Sequence, residues 1–113
     1  MAFGRIRLKA IVENGITEVK FKIKHPMETG ARKDLETGRL IPAHFIEEVT
    51  CEHEGKEVMS AIWGSGVSAN PYCAFKFKGG AKGEIVKLSW KDNKGYVGSK
   101  VVEIKEAKKE KDN

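Results

Sequence analysis

The chain has 113 residues, 40% apolar and 33% charged, the composition of one soluble globular domain. That is long enough to bury roughly 65% of its unfolded surface without disulfide or metal staples. The net charge of +5, from 21 basic against 16 acidic residues, favours nucleic acid, anionic ligands or an acidic partner without choosing among them. A membrane role is not expected, because nothing approaches the ~18 consecutive apolar residues of a spanning helix. Nucleic-acid binding is not expected either, since no helix-turn-helix, zinc-finger or RNA-recognition signature is present.

Residues 1–15 carry neither the apolar core of a signal peptide nor a twin arginine, so the sequence alone reads as cytoplasmic or as carried elsewhere by another protein. Residues 5–12 alternate, with Ile6, Leu8, Ala10 and Val12 on one face and Arg5, Arg7 and Lys9 on the other, the pattern of a half-buried strand. Glu13-Asn14-Gly15 turns the chain. Residues 17–24 alternate again, Val19, Phe21 and Ile23 inward and Lys20, Lys22 and Lys24 outward. Lysines in such a row read as a solvated sheet face or a protected edge. A phosphate site instead needs converging donors.

The alternation then stops. Residues 25–45, HPMETGARKDLETGRLIPAHF, hold two Pro, two Gly and mixed charge. A compact domain rarely keeps ~20 residues without periodicity unless they form a binding loop or lid, or are disordered. Met27, Leu35, Leu40, Ile41 and Phe45 would supply apolar anchors, so an ordered, exposed recognition loop is expected. His25 and His44, at its two ends, are expected to fix the loop base through backbone hydrogen bonds.

Strands follow at 45–53 and 56–63, joined by a tight turn at Glu54-Gly55. Val49 and Cys51 share a face, as do Met59, Ala61 and Trp63. A small-residue loop over 64–72 ends in Asn70-Pro71. Residues 73–78 put Cys73, Phe75 and Phe77 on one side. The Gly79-Gly80 turn lacks the rest of a phosphate-loop pattern. Residues 84–92 place Val86, Leu88 and Trp90 on one face, Asp92-Asn93-Lys94-Gly95 turns, and 96–104 closes the set. About seven short strands with regular turn signals and no amphipathic helix predict an all-β fold, an immunoglobulin-like antiparallel β-sandwich, with a small barrel as the alternative. One domain over 1–104 and a polar tail over 105–113, fraying or briefly extending the last strand, complete the division.

No catalytic or metal-binding spacing is evident. His25, His44 and His53 match neither HExxH nor a CxxC-based zinc pattern. Cys51 and His53 sit only about 7 Å apart along a strand, with no third group to orient them. Burial as small hydrophobes is the default for Cys51 and Cys73. A disulfide across the sandwich is the other possibility.

Several segments resemble the SoxZ family, the Z subunit of the sulfur-oxidising (Sox) carrier. They are His25-Pro26-Met27-Glu28-Thr29-Gly30, Arg32-Lys33-Asp34, Thr37-Gly38, Ile41-Pro42-Ala43-His44-Phe45-Ile46, Glu48-Val49-Thr50 and Gly55-Lys56-Glu57-Val58. Trp63-Gly64, Val67-Ser68, Asn70-Pro71, Phe77-Lys78-Gly79 and Asp92-Asn93-Lys94-Gly95 continue the likeness. The resemblance implies an immunoglobulin-like, non-catalytic subunit without a cofactor. It would pair with a SoxY-type subunit whose C-terminal arm, ending in Gly-Gly-Cys-Gly-Gly, carries the sulfur during thiosulfate oxidation. This chain ends in KEKDN and has no cysteine beyond Cys73. The resemblance further implies export to the periplasm with the signal-bearing partner, and transient contact with other Sox enzymes. Self-association is expected where that partner is absent. His25, Met27, Glu28, Arg32, Lys33, Asp34, His44 and Phe45 are then the expected partner-binding residues, Arg and Met being types that anchor interfaces. The cysteines within the sandwich body are not part of the family pattern. A thiol-dependent enzyme and a free-standing binding module for an acidic partner or anion are the competing classes.

Overall fold

A computed structural model describes residues 4–108. Eight strands run in order: β1 Ile6–Glu13, β2 Ile16–Ile23, β3 Ile46–His53, β4 Lys56–Ile62, β5 Tyr72–Lys78, β6 Ile85–Asp92, β7 Val97–Glu103 and β8 Lys105–Glu106. They form two four-stranded sheets, ordered β5-β2-β1-β8 and β4-β3-β6-β7. The chain passes between sheets after β2, β4, β5 and β7, giving the interleaved hairpins of an immunoglobulin-like sandwich. There is no helix among the described residues.

The alternation read from the sequence is the alternation that packs. Val19, Phe21 and Ile23 of β2 meet Val49 and Cys51 of β3 and Val86, Leu88 and Trp90 of β6 in the core, all nearly inaccessible to water. Each such side chain contributes about 1.5–3 kcal/mol of burial free energy. The central strands of both sheets supply most of this core, as period-two patterning requires when one face of each sheet is solvated.

The eighth strand was not foreseen. Buried Ile104 carries the chain across to the first sheet, where Lys105 and Glu106 pair in parallel with Ile11 and Val12. Two residues are too few to show a periodic signal. The polar-tail expectation for 109–113 lies outside the described residues.

Two glycines mark where the packing leaves no room for a side chain. Gly80, at φ +91°, would place a Cβ 2.1 Å from the Thr17 hydroxyl oxygen, which donates to the Gly79 carbonyl at 2.7 Å. Gly98 of β7 lies against the buried indole of Trp90, and a Cβ there would stand 2.4 Å from Nε1 and 2.7 Å from Cε2. An indole held between two sheets cannot retreat without disturbing the core. Gly98→Ala is therefore expected to destabilise the fold by about 1–3 kcal/mol through overpacking, read as a lower urea midpoint with an unchanged slope.

Candidate functional site

Strand parity positions the groups at the base of the 25–45 segment. The inward set of β2, Val19, Phe21 and Ile23, continues past the strand end to His25 and Met27. The inward set of β6, Val86, Leu88 and Trp90, continues to Asp92, and Ile46 is preceded on the same parity by His44. All of these positions are buried. Ile46 and Asp92 are cross-strand partners, so three polar side chains from remote positions converge at one end of the core.

His25 Nε2 lies 3.0 Å and His44 Nε2 2.6 Å from the same oxygen, Asp92 Oδ2. The other oxygen, Oδ1, accepts from the backbone N–H groups of Lys94 and Tyr96 at 3.0 and 2.9 Å. The two imidazoles meet edge-on with centroids 4.4 Å apart, and His25 stands edge-on to Trp90 at 5.6 Å. Burial works to raise the Asp92 pKa, but the donors from His25, His44, Tyr96 and Lys94 outweigh it and hold the carboxyl below its ordinary value. An ionised carboxylate only accepts, so both Nε2 atoms donate. Burial is the main cause that lowers the His25 pKa; the hydrogen bond to Asp92 opposes it, and the neighbouring His44 lowers it further.

Two imidazole nitrogens and a carboxylate oxygen within 4.8 Å of one another are donor types suited to zinc or iron. The sequence spacing gave no hint of this convergence. His25 Nδ1, however, accepts a hydrogen bond from the Met27 N–H at 3.2 Å. That contact keeps the ring proton on Nε2, the atom facing Asp92, whereas a metal would need the Nε2 lone pair. Metal-bound histidines usually donate from the other nitrogen. The cluster is a hydrogen-bonded staple.

The staple holds a projecting ribbon, not an irregular loop. Glu28 and His44 exchange backbone hydrogen bonds at 2.7 and 3.0 Å; Ile41 N–H donates to the Arg32 carbonyl and Asp34 N–H to the Arg39 carbonyl, each at 2.8 Å. The Asp34 side chain accepts from Glu36 N–H at 2.8 Å, shaping the tip as an Asx turn. Met27 adopts φ +50°, costly for a side-chain-bearing residue. Its buried sulfur accepts from Ile46 N–H at 3.3 Å.

The eight residues expected to bind a partner therefore divide. His25, Met27 and His44 are interior and position the ribbon, with His25 making the expected backbone bond and both histidines adding the bond to Asp92. Phe45 is half-buried against the core, its backbone locked to Asn93. Glu28, Arg32, Lys33 and Asp34 lie along the ribbon, Arg32 and Glu28 forming a two-point ion pair. Each partner favours the other's charged form, lowering the Glu28 pKa and raising that of Arg32. One expectation is corrected. Leu35 and Leu40 do not anchor the segment; they are 99% and 58% exposed, because the ribbon is pinned at its base and has no second layer at its tip.

Cys51 and Cys73 are free thiols, so the alternative of a disulfide across the sandwich is not realised. Burial, with a smaller contribution from Glu52, pushes the Cys51 thiol up to about 12. A nucleophilic cysteine needs the opposite shift.

Residues 6–103 match the family described as "Sulphur oxidation protein SoxZ". With nearly the whole chain matched, the protein belongs to the SoxZ family and is a component of a sulphur-oxidation system. No curated protein matches the chain. Among solved structures it is similar to a superoxide reductase (neelaredoxin) from Ignicoccus hospitalis, with a TM-score of 0.64 and 17% identity over 94% of this chain and 82% of that one. At that identity the likeness is one of fold alone.

The staple makes the ribbon base acid-sensitive. His25 has a folded-state pKa below its ordinary 6.5, so its contribution is complete above that value and declines as pH falls toward the folded-state pKa. Asp92, held below its ordinary 3.8, adds a second loss at lower pH. Urea midpoints should fall between about pH 7 and pH 5, and His25→Gln should flatten that slope. An unchanged slope would assign the titration elsewhere. Asp92→Ala leaves four buried or part-buried donors without their acceptor and should cost about 3 kcal/mol or more.

Proposed function

We propose that the chain is the non-catalytic subunit of a two-chain sulfur carrier. It pairs with a SoxY-type subunit whose cysteine bears the sulfur, and helps present that subunit to other Sox enzymes. It acts in the periplasm, exported with its partner. The family match supports the system, and the distribution of exposed apolar side chains supports the pairing.

That distribution is the observation that carries the reading. Leu35 and Leu40 are exposed on the ribbon, and Ile62, Val97 and Val101 are 89%, 71% and 56% exposed. The last three share the outer face of the β4-β3-β6-β7 sheet. Cross-strand registers order that face in rows: Ile62, Glu48, Lys91 and Val97 lie side by side, then Ser60, Thr50, Ser89 and Ser99. Small hydroxyl side chains leave a shallow depression of about 540 Å³ there, with Trp90 and Gly98 also in its lining. Apolar groups around a low polar floor suit a broad face-to-face contact, with the ribbon extending it at one end. Without the partner, the same surface would drive self-association.

Co-expression with a Y-type subunit, followed by size-exclusion chromatography with mass detection, tests this. A one-to-one complex is expected. Val97→Lys and Ile62→Lys should each weaken it about tenfold or more, and Leu35→Ser to a similar or smaller degree, with the fold intact by circular dichroism. Failure of the native chains to associate would remove the carrier reading. A complex indifferent to all three changes would move the interface elsewhere.

A further inference from the structure

The outer face of the other sheet follows a different rule. Arg7 stands directly opposite Lys22, and Lys9 opposite Lys20; Arg5 and Lys24 are joined by a backbone hydrogen bond at 2.8 Å. All six side chains are exposed. Like charges directly opposite on neighbouring strands destabilise a sheet. The carboxylate among them, Glu18, reaches Lys20 at 3.7 Å in an exposed pair. These six cations with Glu18 account for the whole net charge of +5, so the remainder of the chain is balanced.

Two ordinary explanations do not fit. Protection of an edge does not account for Lys20 and Lys22, because β2 lies between β1 and β5, whereas β8 covers β1 only at Ile11 and Val12. Solubility fails because the second sheet meets that need with opposite charges paired across strands, Glu48 with Lys91 and Glu52 with Lys87. The first sheet sets like charges opposite twice between β1 and β2 and one opposite-charge pair, Glu18 against Lys76, between β2 and β5; the second sheet has a single like pair, Glu52 against Glu57. The cations also converge. Arg5, Arg7, Lys22 and Lys24, with Asn70, line a depression of about 300 Å³.

We propose that the outer face of β1 and β2 is a docking surface for a carboxylate-rich protein surface, used in brief, salt-sensitive encounters and separate from the apolar pairing face. Successive outward residues on one strand lie about 7 Å apart and adjacent strands about 5 Å apart, so the face offers two short columns of positive charge. Acidic side chains on a strand or helix can match that lattice. Single-stranded nucleic acid fits less well, because sheet surfaces that bind it place aromatic rings where bases stack. Here the central positions are Lys and Arg, with Tyr72 beside Lys22 at the margin. Long-range attraction from such a patch speeds association and is lost as salt screens it.

The test exploits the conflict between charge and stability. A fluorescein-labelled oligo-glutamate peptide is titrated with the full chain at about 20 mM and about 200 mM NaCl, spanning the range over which surface charges become screened. Lys22→Glu is compared with Lys56→Glu, which changes net charge equally on the opposite sheet. Binding at low salt should weaken about tenfold or more in Lys22→Glu and much less in Lys56→Glu. Lys22→Glu should also melt about 2–5 °C higher, because it converts repulsion with Arg7 into attraction. Equal loss in both variants would reduce the effect to net charge and overturn the proposal. So would tighter binding of an oligothymidylate probe than of the peptide, full displacement of the peptide by millimolar sulfate, or a lower melting temperature in Lys22→Glu.

Discussion

The carboxylate of Asp92 accepts hydrogen bonds from an imidazole at each end of the 25–45 segment and from two backbone groups of its own turn. Without it, both imidazoles would lose their shared buried acceptor at the end of a hydrophobic core, and the ribbon would rely on backbone bonds, among them Glu28 with His44 and Phe45 with Asn93, to set its direction. With it, the crossing from β2 to β3 becomes a rigid root. The left-handed backbone at Met27 is tolerated because that root over-determines it. A neutral acceptor in the same place could not satisfy two imidazole donors and two amides together, so a buried negative charge is the economical solution here.

From that root the molecule separates its surfaces. The sheet containing β6 extends the staple outward as a low, small-residue face with apolar groups along its margins. The sheet containing β1 and β2 turns six cations to solvent along that hairpin and its two ends. An apolar face favours lasting contact because desolvation slows its release. A cationic face favours encounters that form fast and dissolve fast. Back to back on one thin sandwich, the two can be occupied together.

How much of this was readable beforehand depends on the range of each interaction. Period-two alternation is local, and Val19, Phe21, Ile23, Val86, Leu88 and Trp90 went inward as their spacing required. The staple was legible only in part. His25, His44 and Asp92 each continue the inward parity of a neighbouring strand, a signal present in the sequence but hidden where turn residues interrupt the pattern. Their meeting depends on the pairing of β3 with β6, which no local rule reveals. Leu35 and Leu40 misled because an apolar residue in a loop looks like an anchor until the surrounding layer is known. The lysine row was legible as a solvated face, which it is; that Arg7 stands opposite Lys22 and Lys9 opposite Lys20 depends on the register of β1 with β2.

The thiol of Cys51 lies within the core with its ionisation suppressed. On the carrier reading proposed above, an accessible thiolate on this chain would compete for the partner's sulfur cargo, since the thiolate is the form that attacks persulfides and disulfides. Enclosure in the sandwich makes Cys51 a spectator by kinetics. It keeps a residue of the same element as the cargo from becoming a dead end for it.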